Sequence, residues 1–238
     1  MLRERPLGTP RSTNTQYAAR DTQPDTLRPL TTPRPMTTLT RETKETQITI
    51  RLARATRPEA PQVRVDTSAP FLDHMLITLA RYAGLDLDVQ ARGDMAHHLI
   101  EDVGIAFGEA LRAFAPPTAA RYGDRTIPMD DALVHVSLDI GGRPWYAGRL
   151  PARLYDHWFQ SFAANARATL HVRVLRGTDR HHVVEAAFKA LGLALRDALT
   201  EGGAVFSTKG SVATVVSTDG ALASPPITGP GAVTPTEG

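Results

Sequence analysis

Apolar and polar positions run through two identical cycles of period along the middle of this chain. Gln47–Leu52 (QITIRL) alternates at period two and predicts a strand, with a second short strand over Gln62–Asp66. Phe71–Tyr82 carries apolar groups at 71, 72, 75, 76, 79 and 80, the spacing of one helical face, and stops at Gly84. Leu85–Ala91 alternates again as a strand. A helix then runs from about His97 to Phe114 and ends before Pro116-Pro117, where proline can no longer supply a backbone donor. Farther on, Leu133–Ile140 and Trp145–Leu150 read as strands, Tyr155–Arg167 as a helix, Thr169–Leu175 as a strand and His182–Leu199 as a long helix.

The second cycle overlays the first. Leu72-Asp73-His74-Met75-Leu76 falls on Tyr155-Asp156-His157-Trp158-Phe159 at an offset of 83 residues, and His97-His98-Leu99-Ile100-Glu101 falls on His181-His182-Val183-Val184-Glu185 at an offset of 84. The pattern predicts an α/β fold of α+β type, built by duplication of a strand-helix-strand-helix unit. Its halves are expected at 37–122 and 123–216. Residues 1–36 are rich in Thr, Pro and Arg, and 217–238 in Ala, Pro, Thr and Gly. Neither stretch has enough apolar surface to offset chain entropy, so both are expected to be disordered tails, and Met36 is a candidate for the real start.

The repeated HHxxE carries the chemistry. Residues four apart share a helix face, while neighbours diverge by about 100°. His97 and Glu101 can therefore grip one ion while His98 points elsewhere, and His181, Glu185 and His182 repeat the arrangement. Two sites of three imidazoles and one carboxylate need two further histidines. His74, beside an acid in an apolar helix, and His171, within TLHVRVL, are the candidates, while His135 and His157 are read as structural. Such sites leave positions open, as catalytic sites do, and imidazole-rich donors suit Mn, Fe, Co, Ni or Zn rather than Mg or Ca.

Composition narrows the field. There is no cysteine, which removes disulfides, thiolate metal sites and thiol nucleophiles, and suits a cytoplasmic protein. No apolar run reaches the roughly 18 residues of a membrane span. The net charge is only +2; six arginines against three acids in residues 1–36, and two acids in 217–238, leave the core near +1, so no nucleic-acid partner is expected. Of 27 basic residues only Lys44, Lys189 and Lys209 are lysines. Lys189 lies two helical turns beyond His181, and Lys209 sits in Ser207-Thr208-Lys209-Gly210. With Arg121 and Arg143 they form a candidate clamp for a phosphate, which wants several charge-assisted donors. Glu45, in RETKET, is a candidate general acid or base.

Together these segments resemble the imidazoleglycerol-phosphate dehydratase family. The pieces are RETKET (41–46), FLDHM (71–75), HHLIEDVGIAFGEAL (97–111), RYG (121–123), DIGGRP (139–144), NARATLHV (165–172), HHVVEAAFKA (181–190) and STKG (207–210). The resemblance implies two mixed sheets with helices on one face of each, and a large symmetric homo-oligomer with active sites between subunits. It also implies two Mn2+ ions held by His74, His97, His98, Glu101, His171, His181, His182 and Glu185. Glu45 would do acid/base work, and Arg121, Arg143, Lys189, Ser207 and Lys209 would surround the phosphate of a small phosphorylated imidazole substrate. Two features depart from the family pattern. The run Gly93-Asp94-Met95-Ala96 enters His97 about three residues early, and Leu99 stands where members usually have Thr. The shortening is expected to alter the support of His97 or His98.

The implied reaction is dehydration of D-erythro-imidazole glycerol phosphate to imidazole acetol phosphate in L-histidine biosynthesis. Its difficulty is the removal of a proton from a carbon with no adjacent carbonyl. A di-metal phosphoester hydrolase would need the same ligands, and an intact Glu45 and STKG argue against a non-catalytic metal-binding scaffold that kept only the assembly. A chain started at Met36 and stopped near Gly220 is expected to keep its solubility and turnover. A large loss of either would mean that a tail packs on the core or covers the site.

Overall fold

The computed structural model describes residues 36–202, so the disorder expected of both tails concerns positions outside the described range, Met36 apart. The first half contains β1 (Thr37–Glu42), β2 (Thr46–Arg54), β3 (Val63–Asp66), α1 (Pro70–Ala83), β4 (Leu85–Gly93) and α2 (Ala96–Phe114). The second repeats it as β5 (Tyr122–Met129), β6 (Ala132–Asp139), β7 (Trp145–Ala147), α3 (Arg153–Asn165), β8 (Thr169–Arg176) and α4 (Arg180–Ala198). Each half folds into a four-stranded mixed sheet, ordered β1-β2-β4-β3 and β5-β6-β8-β7. The outer pairs β3–β4 and β7–β8 are parallel and the remaining pairs antiparallel. The duplicated α/β architecture expected from the sequence is the one observed.

Two strands escaped the hydrophobic pattern. β1 (TTLTRE) and β5 (YGDRTIPM) are mostly polar and only half-buried, because both lie at sheet edges with one long side unpaired. Pro128 is tolerated in β5 for that reason. The strand expected over Trp145–Leu150 closes after Ala147. No helix among the described residues is long and apolar enough to cross a membrane.

One face of each sheet is apolar. Ile48, Ile50 and Leu52 from β2 join Leu85, Leu87, Val89 and Ala91 from β4, and Val134, Val136, Leu138, Leu170 and Val172 do the same in the second half. Helices cover these faces, α2 on β2 and β4, α4 on β5 and β6. The helices then pack across the halves, α1 against α4 and α2 against α3. Trp158 and Phe162 of α3 stack with ring centroids 5.4 Å apart, and Trp158 reaches Phe188 of α4 at 4.7 Å. This aromatic cluster, fully buried, ties α2, α3 and α4 into one core.

Close approach of the helices depends on two glycines 84 residues apart. A Cβ at Gly108 of α2 would lie 2.6 Å from the carbonyl oxygen of Phe162, and one at Gly192 of α4 would lie 2.7 Å from that of Leu79. Both collisions are with backbone, so a helix would have to move. Gly108→Ala and Gly192→Ala are each expected to cost about 1–3 kcal/mol, visible as a lowered melting temperature. Wild-type stability in both variants would show that the helices part without strain.

Candidate metal centre

Cross-packing of the helices assembles two clusters of metal-binding character, each drawing on both halves. In one, His74 of α1 meets His181 and Glu185 of α4; in the other, His157 of α3 meets His97 and Glu101 of α2. The ligand atoms within each cluster lie within 4.8 Å of one another. Glu185 Oε2 stands 3.2 Å from His74 Nε2 and 3.1 Å from His181 Nε2, and Glu101 Oε2 is 3.0 Å from His97 Nε2. Two imidazole nitrogens and a carboxylate oxygen converging on one point form a donor set that fits a divalent transition metal with positions left open.

Local sequence aims these side chains. The aspartate before each single histidine fastens the entry to its helix. Asp73 Oδ1 accepts from Thr67 N at 2.8 Å and Thr67 Oγ1 at 2.6 Å, and Asp156 Oδ1 accepts from Leu150 N at 2.9 Å and Tyr146 Oη at 2.6 Å. An acid in the first turn also complements the helix dipole. Burial first, and then the bond to Asp156, pushes the Tyr146 hydroxyl far above its usual range, so it serves as a fixed donor. Asp179 caps α4 by accepting from His181 N and His182 N, whereas α2 has no side-chain cap.

His157 was not expected here. The sequence signal was present in the alignment of Asp156-His157 with Asp73-His74, but a lone histidine in an amphipathic helix is usually structural. Only the packing of α3 on α2 distinguishes the two readings. His171, expected as a ligand, lies on β8 opposite Ser137 and joins neither cluster. His135 bonds Thr126 Oγ1 at 2.9 Å. Leu99 is buried, 3.1 Å from the position a Cβ on Gly93 would take, so it packs rather than ligates.

The two clusters differ electrostatically. The Glu185 side chain is 9% exposed and that of Glu101 41%. Lys189 Nζ lies 3.0 Å from Glu185 Oε1. Burial disfavours the Glu185 carboxylate, but hydrogen bonds from Lys189 and His74 outweigh it and hold the pKa below its usual value. Ile105, one turn beyond Glu101, cannot supply such a partner.

The second histidine of each pair turns away from its own cluster. His98 Nδ1 is 2.8 Å from Asp94 Oδ1 and 3.6 Å from Glu45 Oε2, while His182 Nδ1 is 2.8 Å from Asp131 Oδ1. The hydrogen bonds to Asp94 and Asp131 raise the pKa of both rings above the ordinary imidazole value. Asp94 is lowered in return by His98. Asp131 is lowered much further, first by the backbone N–H of Thr178 and then by His182.

The basic groups divide. Arg121 and Arg143 line one cleft of about 1040 Å³ together with Arg112 and Arg167. Arg121, at φ +73°, is held by Asp139 through contacts of 3.0 and 3.1 Å from Nη2. Lys189 stands instead with Glu185, and Ser207 and Lys209 lie outside the described residues. The arginine cleft sits at the C-terminal end of α2 and His97 at its N-terminal end. From His97 to Arg112 the helix rises about 22 Å at 1.5 Å per residue.

Comparison with known proteins identifies the family. The family model for imidazoleglycerol-phosphate dehydratase matches residues 67–195. The imidazoleglycerol-phosphate dehydratase of Pyrobaculum arsenaticum is 44% identical over 187 residues, covering 72% of this chain and 97% of that protein. The crystal structure of the Pyrococcus furiosus enzyme is similar with a TM-score of 0.65 at 40% identity, over 73% of this chain and all of that one. The Staphylococcus aureus structure gives a TM-score of 0.62 at 34% identity, over 70% of this chain and 99% of that one. With most of the described fold matched at this identity, the chain belongs to the imidazoleglycerol-phosphate dehydratase family and is a lyase.

Proposed function

We propose that the chain dehydrates D-erythro-imidazole glycerol phosphate to imidazole acetol phosphate, a step of L-histidine biosynthesis, at a di-metal site formed by its two histidine-carboxylate clusters. The observation that carries this reading is the convergence of His74, His181 and Glu185, and of His97, Glu101 and His157, into two like clusters. Manganese is the first candidate ion on the family resemblance, and the N/O donor set suits it. Held by those residues, divalent ions would supply Lewis acidity that stabilises negative charge on the substrate's imidazole ring.

The chain's own groups do the rest. Glu45 sits exposed in the β1–β2 turn, in a long 3.6 Å ion-pair contact with His98, and moves the proton. Arg121, Arg143, Lys189, Ser207 and Lys209 receive the phosphate and orient the substrate from a point remote from the reacting carbons. A span of about 22 Å between the arginine cleft and the clusters exceeds what one small substrate bridges. That span supports active sites completed between subunits of a homo-oligomer, with His98, His171 and His182 as ligands contributed to a neighbour.

The direct test is a dehydratase assay on purified protein before and after chelation and manganese replacement. Activity lost with the metal and regained with it is expected; release of phosphate from an inert phosphoester, without dehydration, would replace this reading with hydrolysis. Elemental analysis should find about two ions per chain, and His157→Ala should lower that figure toward one. Full occupancy in His157→Ala would remove His157 from the ligand set. Glu45→Gln keeps the shape of the side chain but loses its proton-transfer group. Turnover should fall by about 10²-fold or more at unchanged metal content. Loss of metal, with turnover restored on reloading, would make Glu45 a ligand rather than an acid or base.

A further inference from the structure

We propose that Asp94 and Asp131 are positioning residues that fix the ring of the second histidine in each pair, His98 and His182, so that Nε2 is the atom offered to a divalent metal. Each carboxylate meets an Nδ1 at 2.8 Å. A carboxylate only accepts, so Nδ1 carries the hydrogen and the lone pair of the neutral ring lies on Nε2. Metal-binding histidines are commonly oriented through their other nitrogen in this way. The inference rests on the reading of His98 and His182 as ligands.

The two halves reach the same result from different loops. Glu45 and Asp131 occupy matching places, each immediately before the second strand of its half, β2 or β6. Asp131 is itself immobilised: its Oδ2 accepts from Thr178 N at 2.7 Å, Thr178 Oγ1 at 3.1 Å and Asp179 N at 3.1 Å, leaving Oδ1 for His182. Asp130 Oδ2, 3.4 Å from His182 Nε2, is the acid nearest the nitrogen being offered. In the first half the matching residue, Glu45, does not hold the ring. Asp94, directly after Gly93 at the end of β4, takes Nδ1 of His98 from one turn upstream. The short Gly93–Ala96 connection brings Asp94 to that position. Asp94 thereby does for His98 what Asp131 does for His182, and Glu45 keeps only a long 3.6 Å contact to the ring in a turn where its counterpart is fully engaged.

Full-length protein loaded with Co2+ provides the test, through chelator competition and the visible bands of the bound ion. Asp94→Ala should weaken metal binding by about 10–100-fold and shift the cobalt bands, and Asp94→Asn should restore much of both because its amide oxygen still accepts from Nδ1–H. Asp131→Ala should do likewise. Asp131 also latches the loop before α4, so Thr178→Val serves as its control. That substitution should lower the melting temperature and leave the cobalt bands in place. Wild-type affinity and bands in Asp94→Ala would overturn the role of Asp94. A band shift in Thr178→Val as large as in Asp131→Ala would overturn that of Asp131. Failure of the unaltered protein to bind any Co2+, Mn2+ or Zn2+ would instead bring down the metal reading and this inference with it.

Discussion

Everything at the candidate site depends on how closely the helices of one half approach those of the other. Gly108 and Gly192 let α2 meet the backbone of α3, and α4 that of α1, at distances no side chain would permit. The crossing is what makes each cluster a composite. An HHxxE segment brings one histidine and one glutamate on a helix face, and the third donor comes from the opposite half. Neither half alone could build a site, which couples ligand geometry directly to the integrity of the core. The aromatic cluster of Trp158, Phe162, Phe107 and Phe188 begins at the residue after His157 and fixes the face that α3 presents.

Duplication produces two like clusters, but divergence has made them unlike in charge. Glu185 is enclosed and paired with Lys189, and Glu101 is open to solvent with an apolar residue where the lysine would stand. A carboxylate that already accepts from an ammonium has less charge to offer a metal, so the two candidate clusters present different fields from nearly identical side chains. The same divergence separates Glu45 from Asp131. Asp131 holds a loop and a ring, while Glu45 stands exposed with a longer, 3.6 Å contact to His98.

The arginines of the cleft follow another logic. Arg121 is pinned by Asp139 in a left-handed backbone conformation, at the end of the molecule remote from its own clusters. The exposed Tyr122 and Trp145 flank the same arginines in sequence.

The sequence by itself determined a great deal. Hydrophobic period placed all four helices and six of the eight strands, and the edge strands β1 and β5 were missed because half-exposed segments carry no strong alternation. Self-similarity at offsets of 83 and 84 residues established the duplication, and the HHxxE spacing identified His97 with Glu101 and His181 with Glu185 as partners, because both follow from local helical geometry. Which histidine completes each pair was not local information. His157 and His171 look alike in sequence, one beside an acid and one within a strand, and only the packing of α3 on α2 brings His157 to Glu101 while β8 carries His171 elsewhere. The partner of Lys189 was decided in the same way. Helical spacing put it on the ligand-bearing side, but a distance of 3.0 Å to Glu185, set by the burial of α4 against α1 and β5, gave it a carboxylate to neutralise.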